Sequence, residues 1–179
     1  MSNWNMIATT AEGRYNQALA FLVQFGTVKP TAYYNVVMLL VPDVPRLMAV
    51  LAEEWESQGG RLSLLQRVVP MTHTFNFSDR EGFARRSFEV ALGWADRLSG
   101  KSFHTRMHRR GFKEQLSSVE EERFLNAVIV EATTRTGKSA GVAYDDPDAI
   151  IAVETVGSHA GMSLWFREDL RHYPFLNIH

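Results

Sequence analysis

The sequence predicts a mixed α+β fold, because segments with strand character alternate with helical segments along the chain. Hydrophobic residues make up 45% of the 179 residues and charged residues 22%, a composition typical of globular domains. This length suits one ordinary domain or two small ones. We therefore expect a folded α+β protein and exclude the disordered, collagen-like and low-complexity classes.

Net charge and cysteine content exclude several functional classes. The formal net charge is -1, so the protein has no uniform positive field and any nucleic-acid site must be local. The absence of cysteine excludes a disulfide framework, a thiol nucleophile and a zinc knuckle. The N-terminus lacks the features of a secretion signal, and the longest apolar stretch, 36–41, is too short for a membrane span. We expect a soluble, cytoplasmic protein without membrane contact.

The first part of the chain has the predicted element order β-α-β-β-α-β. Asp43 is placed to cap the second helix, and the buried stripe of that helix is predicted to include Trp55. This order is that of a ferredoxin-like unit. Segment 70–78 lacks periodicity and predicts a link, so we assign residues 1–78 to a ferredoxin-like N-terminal domain. The elements are a strand at 4–9, a helix after Gly13 that ends at Gly26, a hairpin within 28–41, a helix after 43 and a strand at 62–69.

Residues 79–179 predict a second α/β domain. Ser78 with Glu81, and Ser118 with Glu121, match the capping-box pattern that opens a helix. The segment 150–156 is apolar on both faces and is therefore predicted to be central in its sheet. The predicted strands are 102–108, 142–144, 150–156 and 162–166.

Positive charge is concentrated in this second part. Residues 79–113 contain nine Lys/Arg against four Asp/Glu, net +5, while residues 140–179 contain two against six, net -4. The segment 101–113 contains five Lys/Arg and two His without an acidic residue. A basic strand of this kind favours nucleic-acid binding. The alternative is a solvated face that pairs with acidic residues of the same chain.

Strand alternation divides this basic segment between two faces. Side chains at 103, 105 and 107 are predicted to face a core, while those at 104, 106, 108 and 110 point to the opposite side. Guanidinium groups match phosphate geometry, and Phe112 is placed to stack on a base. Arg106 has the alternative role of an internal partner for Glu154. The candidate RNA-binding residues are Lys101, His104, Arg106, His108, Arg109, Arg110 and Lys113.

Several motifs in residues 79–179, taken in order, resemble the THUMP domain of tRNA-modifying proteins. They are Phe103-His-Thr-Arg106, Arg109-Arg110-Gly111, Asp146-Pro147-Asp148, Ile151-Ala-Val-Glu154 and Ser163-Leu164-Trp165. The preceding unit is similar to the ferredoxin-like domain that often precedes THUMP.

This resemblance implies binding of tRNA near its 3′ acceptor end. It also implies a stand-alone THUMP protein, similar to the accessory protein of the tRNA cytidine acetyltransferase. Such a protein presents tRNA to a separate modifying enzyme, so the expectation is a chain that is not an enzyme and has no catalytic residue, cofactor or metal. The phosphate contacts carried over from the family are Arg106, Arg109, Arg110 and Lys113.

Two other functions remain open at this point. Residues 132–139 fit a relaxed Walker A pattern, which would make Thr136–Ser139 the phosphate loop of a nucleotide-hydrolysing enzyme, although a helix precedes the loop where a strand is required. The second alternative is a protein-interaction subunit that does not bind RNA. A metal at His104 and His108 is disfavoured by the neighbouring arginines, and Asp145, Asp146 and Asp148 are typical of a turn.

Overall fold

A computed structural model describes residues 3–179 and divides them into two compact units. The first unit contains residues 3–71 and 168–177, and the second contains 72–167 and 178–179. We predicted a link at 70–78 and a boundary at residue 78. Residues His73–Asn76 instead form a strand that pairs within the second unit, so the two units divide after Met71.

The first unit is built on a four-stranded antiparallel sheet in the order β2-β3-β1-β4. This arrangement confirms the predicted β-α-β-β-α-β order. A 3-10 turn at Gly60–Leu64 precedes the last strand. The elements are β1 (Met6–Thr10), α1 (Tyr15–Leu22), β2 (Thr27–Pro30), β3 (Val36–Leu40), α2 (Val44–Glu56) and β4 (Leu65–Pro70).

Local sequence accounts for the start of α2 and for the β2-β3 turn. The Asp43 carboxylate accepts a hydrogen bond from the Arg46 N–H (3.0 Å) and caps α2 as predicted. The β2-β3 hairpin turns at Asn35, whose φ of 57° is one that asparagine tolerates well. The prediction that Trp55 is buried is wrong, because Trp55 is 50% exposed and Leu47 and Leu51 supply the buried face of α2.

The second unit contains a five-stranded sheet in the order β5-β9-β8-β6-β7. Its strands are β5 (His73–Asn76), β6 (Ser102–His108), β7 (Gly141–Val142), β8 (Ala149–Val156) and β9 (His159–Phe166). Its helices are α3 (Arg80–Leu92), α4 (Ala95–Leu98) and α5 (Ser118–Arg135). After β9 the chain forms α6 (Arg167–His172) and a 3-10 turn at Pro174–Leu176, which belong to the first unit apart from Arg167.

The core of the second unit lies between its helices and one face of its sheet. Phe83 of α3 and Leu125 of α5 are fully buried together with Phe103 of β6 and Ile151 of β8. Every residue of β8 is buried, and β8 lies between β6, to which it is parallel, and β9. The prediction of a central strand at 150–156 is therefore confirmed.

Both predicted capping boxes are displaced by one residue. Asp79 caps α3 by accepting from the Gly82 N–H (2.7 Å), and Ser117 caps α5. Glu121, predicted as a capping-box partner, is instead buried and accepts from Arg80 Nε (2.8 Å). This hydrogen bond to Glu121 raises the pKa of the Arg80 guanidinium above its ordinary value. Because Arg80 begins α3 and Glu121 lies in the first turn of α5, the ion pair links the starts of two helices.

The loop after α5 lacks the context of a phosphate-binding loop. Gly137, at φ +90°, follows the end of the helix, and the chain then enters β7 at Gly141. A Walker A loop requires a preceding strand and a following helix whose N-terminal amides converge on the phosphate. At residues 136–139 a helix precedes the loop and a strand follows it. The strand-loop-helix arrangement that the nucleotide-hydrolysis alternative requires is therefore absent at these residues, and that alternative is wrong.

Candidate nucleic-acid interface

Strand β6 forms a rigid base for the predicted basic residues. It pairs with β8 along residues 103–108, whereas its pairing with β7 covers only Ser102 and Phe103. Where β7 ends, side chains of α5 take over the hydrogen bonding along this edge of β6. The Thr105 N–H donates to Asn126 Oδ1 (2.9 Å) and the Met107 N–H donates to Glu122 Oε1 (2.8 Å). The backbone on both sides of Arg106 is therefore fixed before any ligand binds.

Arg106 is the most accessible cation of this strand. Its side chain is exposed while Thr105 and Met107 on either side are buried. Within residues 3–179 it forms no ion pair, and the β6-β8 register places it opposite Ala152. The alternative in which Arg106 is the internal partner of Glu154 is therefore wrong. A free guanidinium on a rigid strand can bind a phosphate with two parallel hydrogen bonds.

Arg110 has the internal role instead. Its Nη1 donates to Glu154 Oε2 (2.7 Å), and only 16% of its side chain is exposed. His108 Nδ1 lies 3.5 Å from Glu154 Oε1, and the Glu154 side chain is fully buried. Burial lowers the pKa of the Arg110 guanidinium from its ordinary value. The prediction that Arg110 lies on the exposed face is wrong, because this buried carboxylate binds it.

His104 is buried, so its side chain is not available to contact a ligand directly. It is 6% exposed, and its Nδ1 donates to the Ala143 carbonyl (2.9 Å). The Tyr144 ring packs against the imidazole with centroids 5.2 Å apart and a tilt of 34°. Tyr144 itself is 68% exposed, so its outer side offers an aromatic surface on the face of β6 to which Arg106 also belongs by strand alternation.

The chain turns sharply after Arg110. Gly111 and Phe112 both adopt positive φ angles, 89° and 52°. Phe112 packs against Phe77 with ring centroids 4.9 Å apart, so the prediction that it is free to stack on a base is wrong. Arg109 Nη1 donates to the Gly111 carbonyl (2.8 Å), which holds this half-buried arginine against the turn. Lys113 is exposed beyond the turn.

Lys101 lies at the other end of β6. Seven residues of strand separate it from Arg109, a distance of about 26 Å at the usual rise per residue. Its loop is bound to the loop after α5, because the Gly100 N–H donates to the Lys138 carbonyl (2.9 Å). Lys101 and the exposed Lys138 therefore belong to a separate end of the sheet. We use "β6 basic surface" for Arg106, Arg109 and Lys113 alone.

The acidic turn is bound internally. The Asp148 carboxylate accepts from the Ser102 N–H (2.8 Å) and hydroxyl (3.1 Å), and Arg167 forms ion pairs with Asp146 and Asp148. The hydrogen bond from the Ser102 backbone lowers the pKa of Asp148 most, with Arg167 and Lys101 contributing. Residues 3–179 contain no group of three or more side chains suited to a metal ion, and none of their helices is long and apolar enough to cross a membrane.

Sequence reasoning missed Tyr144 as a site residue. It precedes an acidic turn and forms no motif, and its position over His104 depends on the pairing of β6 with β7. Lys138 was considered only as part of the relaxed Walker A pattern, and its position beside Lys101 depends on the same pairing. Local sequence gives no signal for either of these positions.

Comparison with solved structures identifies the architecture. TrmN from Thermus thermophilus superposes with a TM-score of 0.62 at 22% identity, covering 89% of this chain and 44% of its own. PH1313 from Pyrococcus horikoshii Ot3 gives 0.59 at 13% identity, with coverages of 90% and 54%. A 4-thiouridine synthetase in complex with RNA and ATP gives 0.55 at 14% identity, with coverages of 92% and 42%. The chain has a THUMP-like α/β fold.

The predicted fold class is thus confirmed, and the chain spans about half the length of the structures that it matches. Searches of protein-family models and of curated proteins find no match to the sequence. The prediction that the chain is not an enzyme is contradicted. The proteins that share its THUMP-like fold include the synthetase and a possible methylase from Clostridium difficile 630, the latter with a TM-score of 0.59 at 13% identity.

Proposed function

We propose that this chain binds tRNA through the β6 basic surface and holds the acceptor end for a tRNA-modifying enzyme on a separate chain. One observation carries the proposal: the Arg106 guanidinium is exposed and forms no ion pair within residues 3–179. It lies in the middle of a strand whose backbone on either side is hydrogen-bonded to side chains of α5. The THUMP-like fold supports it, because the 4-thiouridine synthetase of the same fold was solved as a complex with RNA.

The local charges favour a phosphate at this position. Segment 101–113 contains no acidic residue, and Lys113 and Arg109 follow Arg106 at the exit of the strand. Phosphate contacts by several cations add together and position an RNA without reading its sequence. The exposed Tyr144 ring adds a surface on which an unpaired base can stack.

Binding of deacylated tRNA by variants of the chain tests this proposal. We expect Arg106→Ala and Lys113→Ala each to weaken binding severalfold for all tRNAs alike, because phosphate contacts carry no sequence information. Tyr144→Ala should weaken binding to tRNA more than to a fully double-stranded RNA. Each variant should melt at the temperature of the parent protein, since these three side chains are exposed.

Arg46→Ala serves as the matched control. Arg46 is exposed, lies in the first unit and stacks on Phe25 at 5.8 Å, so it should leave tRNA binding unchanged. The proposal fails if Arg106→Ala and Lys113→Ala together bind tRNA as tightly as the parent protein. In that case the RNA surface lies elsewhere or the chain does not bind RNA.

A further inference from the structure

A continuous groove runs between the free edge of β5 and helix α3. β5 is the outermost strand of the second sheet, and within residues 3–179 it pairs only with β9. Three adjoining pockets of about 460, 500 and 310 Å³ occupy this space. Neighbouring pockets share Arg86 at one junction and His73, Glu89 and Val90 at the other, so together they form one channel, here called the β5-α3 groove.

The groove follows the backbone of β5 and not one of its faces. Every residue from 72 to 78 lines it, although successive strand side chains point to opposite faces. Only a space along the edge of a strand is bordered by side chains from both of its faces. The Phe77 N–H donates to the Ser158 carbonyl (2.9 Å), so in this antiparallel register His73 and Phe75 direct their backbone groups toward β9. The backbone N–H and C=O groups of Thr74 and Asn76 therefore face the groove.

Helix α3 gives the groove a basic end and an apolar end. Arg85 and Arg86 line the end near the start of the helix, and neither forms an ion pair within the described residues. The Arg86 guanidinium is held 5.8 Å over the Phe75 ring. Val90 and Trp94 line the other end.

The spacing of these side chains matches that of an extended peptide. Val90 and Arg86 are one helical turn apart, about 6 Å along the axis. An added strand advances about 6.6 Å for every two residues and presents both of those side chains on one side. An apolar side chain beside Val90 and a carboxylate two residues away beside Arg86 therefore fit the groove together.

We propose that the β5-α3 groove binds an extended acidic peptide of a partner protein, which pairs with the free edge of β5 as an added strand. Unpaired strand edges are templates for such pairing, and strand addition is an established mode of peptide recognition. Arg85 and Arg86 bind carboxylates of the peptide by charge-assisted hydrogen bonds. Partner and site are separate from the β6 basic surface, so the proposal stands independently of tRNA binding.

Glu89 favours a peptide over RNA as the occupant. It lines the middle of the groove, where the two pockets beside Val90 meet. A carboxylate at this position repels the evenly spaced phosphates of a nucleic-acid strand. A peptide can instead place a backbone N–H or a hydroxyl there, and either group donates a hydrogen bond to the carboxylate. The donor and acceptor repeat at Thr74 and Asn76 also matches a peptide backbone and not a sugar-phosphate backbone.

Amide chemical-shift titration of the full chain tests this directly. The probes are two synthetic peptides of opposite sequence order, each with one leucine, a glutamate two residues from it, a second glutamate two residues further, and serine elsewhere. We expect one of them to shift the amide resonances of Thr74 and Asn76. Arg86→Glu should weaken that binding at least tenfold, while Arg123→Glu on the exposed side of α5 should not change it.

Backbone pairing separates strand addition from simple charge attraction. N-methylation of the peptide at the amides that face β5 should abolish binding, and methylation at the alternate amides should preserve it. Three results overturn the proposal: no shift with either peptide at millimolar concentration, equal binding by both methylated peptides, or a stronger shift of the same resonances by single-stranded oligouridylate.

Discussion

Replacing Arg110 should destabilise the protein, even though Arg110 belongs to the most basic segment of the sequence. Arg110→Ala removes the guanidinium that donates to Glu154 Oε2 at 2.7 Å and leaves a fully buried carboxylate. Breaking a buried ion pair by removing one partner costs about 3–5 kcal/mol. Because His108 Nδ1 remains 3.5 Å from the same carboxylate, we expect the lower end, about 3 kcal/mol.

Urea denaturation followed by far-UV circular dichroism measures this loss. Arg106→Ala is the matched control, because Arg106 lies in the same segment but is exposed, and it should change the free energy of unfolding by no more than about 0.5 kcal/mol. Adding Glu154→Gln to Arg110→Ala removes the buried negative charge and should recover at least about 1 kcal/mol. A loss from Arg110→Ala no larger than that from Arg106→Ala would refute the assignment of Arg110 as a structural residue.

Three further predictions concern stability. Met107→Asp places an unpaired charge at a position that is 5% exposed and should abolish the cooperative unfolding of the second unit, whereas Arg106→Asp, on the exposed side of the same strand, should leave far-UV circular dichroism and melting intact. Ser117→Ala removes the N-cap of α5 and should cost about 1 kcal/mol in urea denaturation, while Ser118→Ala should cost less than half as much. The pKa of Asp148 is lower in the folded protein than in the unfolded chain, so its stabilisation is complete above about pH 4 and is lost as the pH falls through the folded value. Asp148→Asn should therefore lower the urea midpoint at pH 7, and this difference should shrink as the pH falls below about 4; a difference that stays constant over this range would contradict the prediction.

Local patterns predicted the elements well where the signal lies within a few residues. The strand predicted at 102–108 is β6 with the same bounds, and Asp43 caps α2 as expected. The capping boxes at Ser78 and Ser118 were displaced by one residue, because Asp79 offers an equivalent oxygen one position later and Ser117 offers one a position earlier. Competing caps of this kind cannot be separated without the backbone geometry.

The roles of the basic residues depended on strand register, which local sequence does not specify. The parallel β6-β8 pairing places His108 opposite Glu154 and Arg106 opposite Ala152, so Arg110 and not Arg106 binds the buried carboxylate. His104 is covered by Tyr144, forty residues later in the chain. The β5-α3 groove could not be predicted without knowing that β5 is an edge strand. The sequence patterns had instead predicted a link for that segment.

The salt dependence of tRNA binding tests the central claim most directly. Each phosphate neutralised by a cation releases counterions, so the logarithm of the association constant should fall linearly with the logarithm of salt concentration. We predict a steep slope for the parent protein and a slope smaller by about one unit for Arg106→Ala and for Lys113→Ala, with no change for Arg46→Ala. A flat slope for the parent protein, or equal slopes for all four proteins, would contradict tRNA binding by the β6 basic surface.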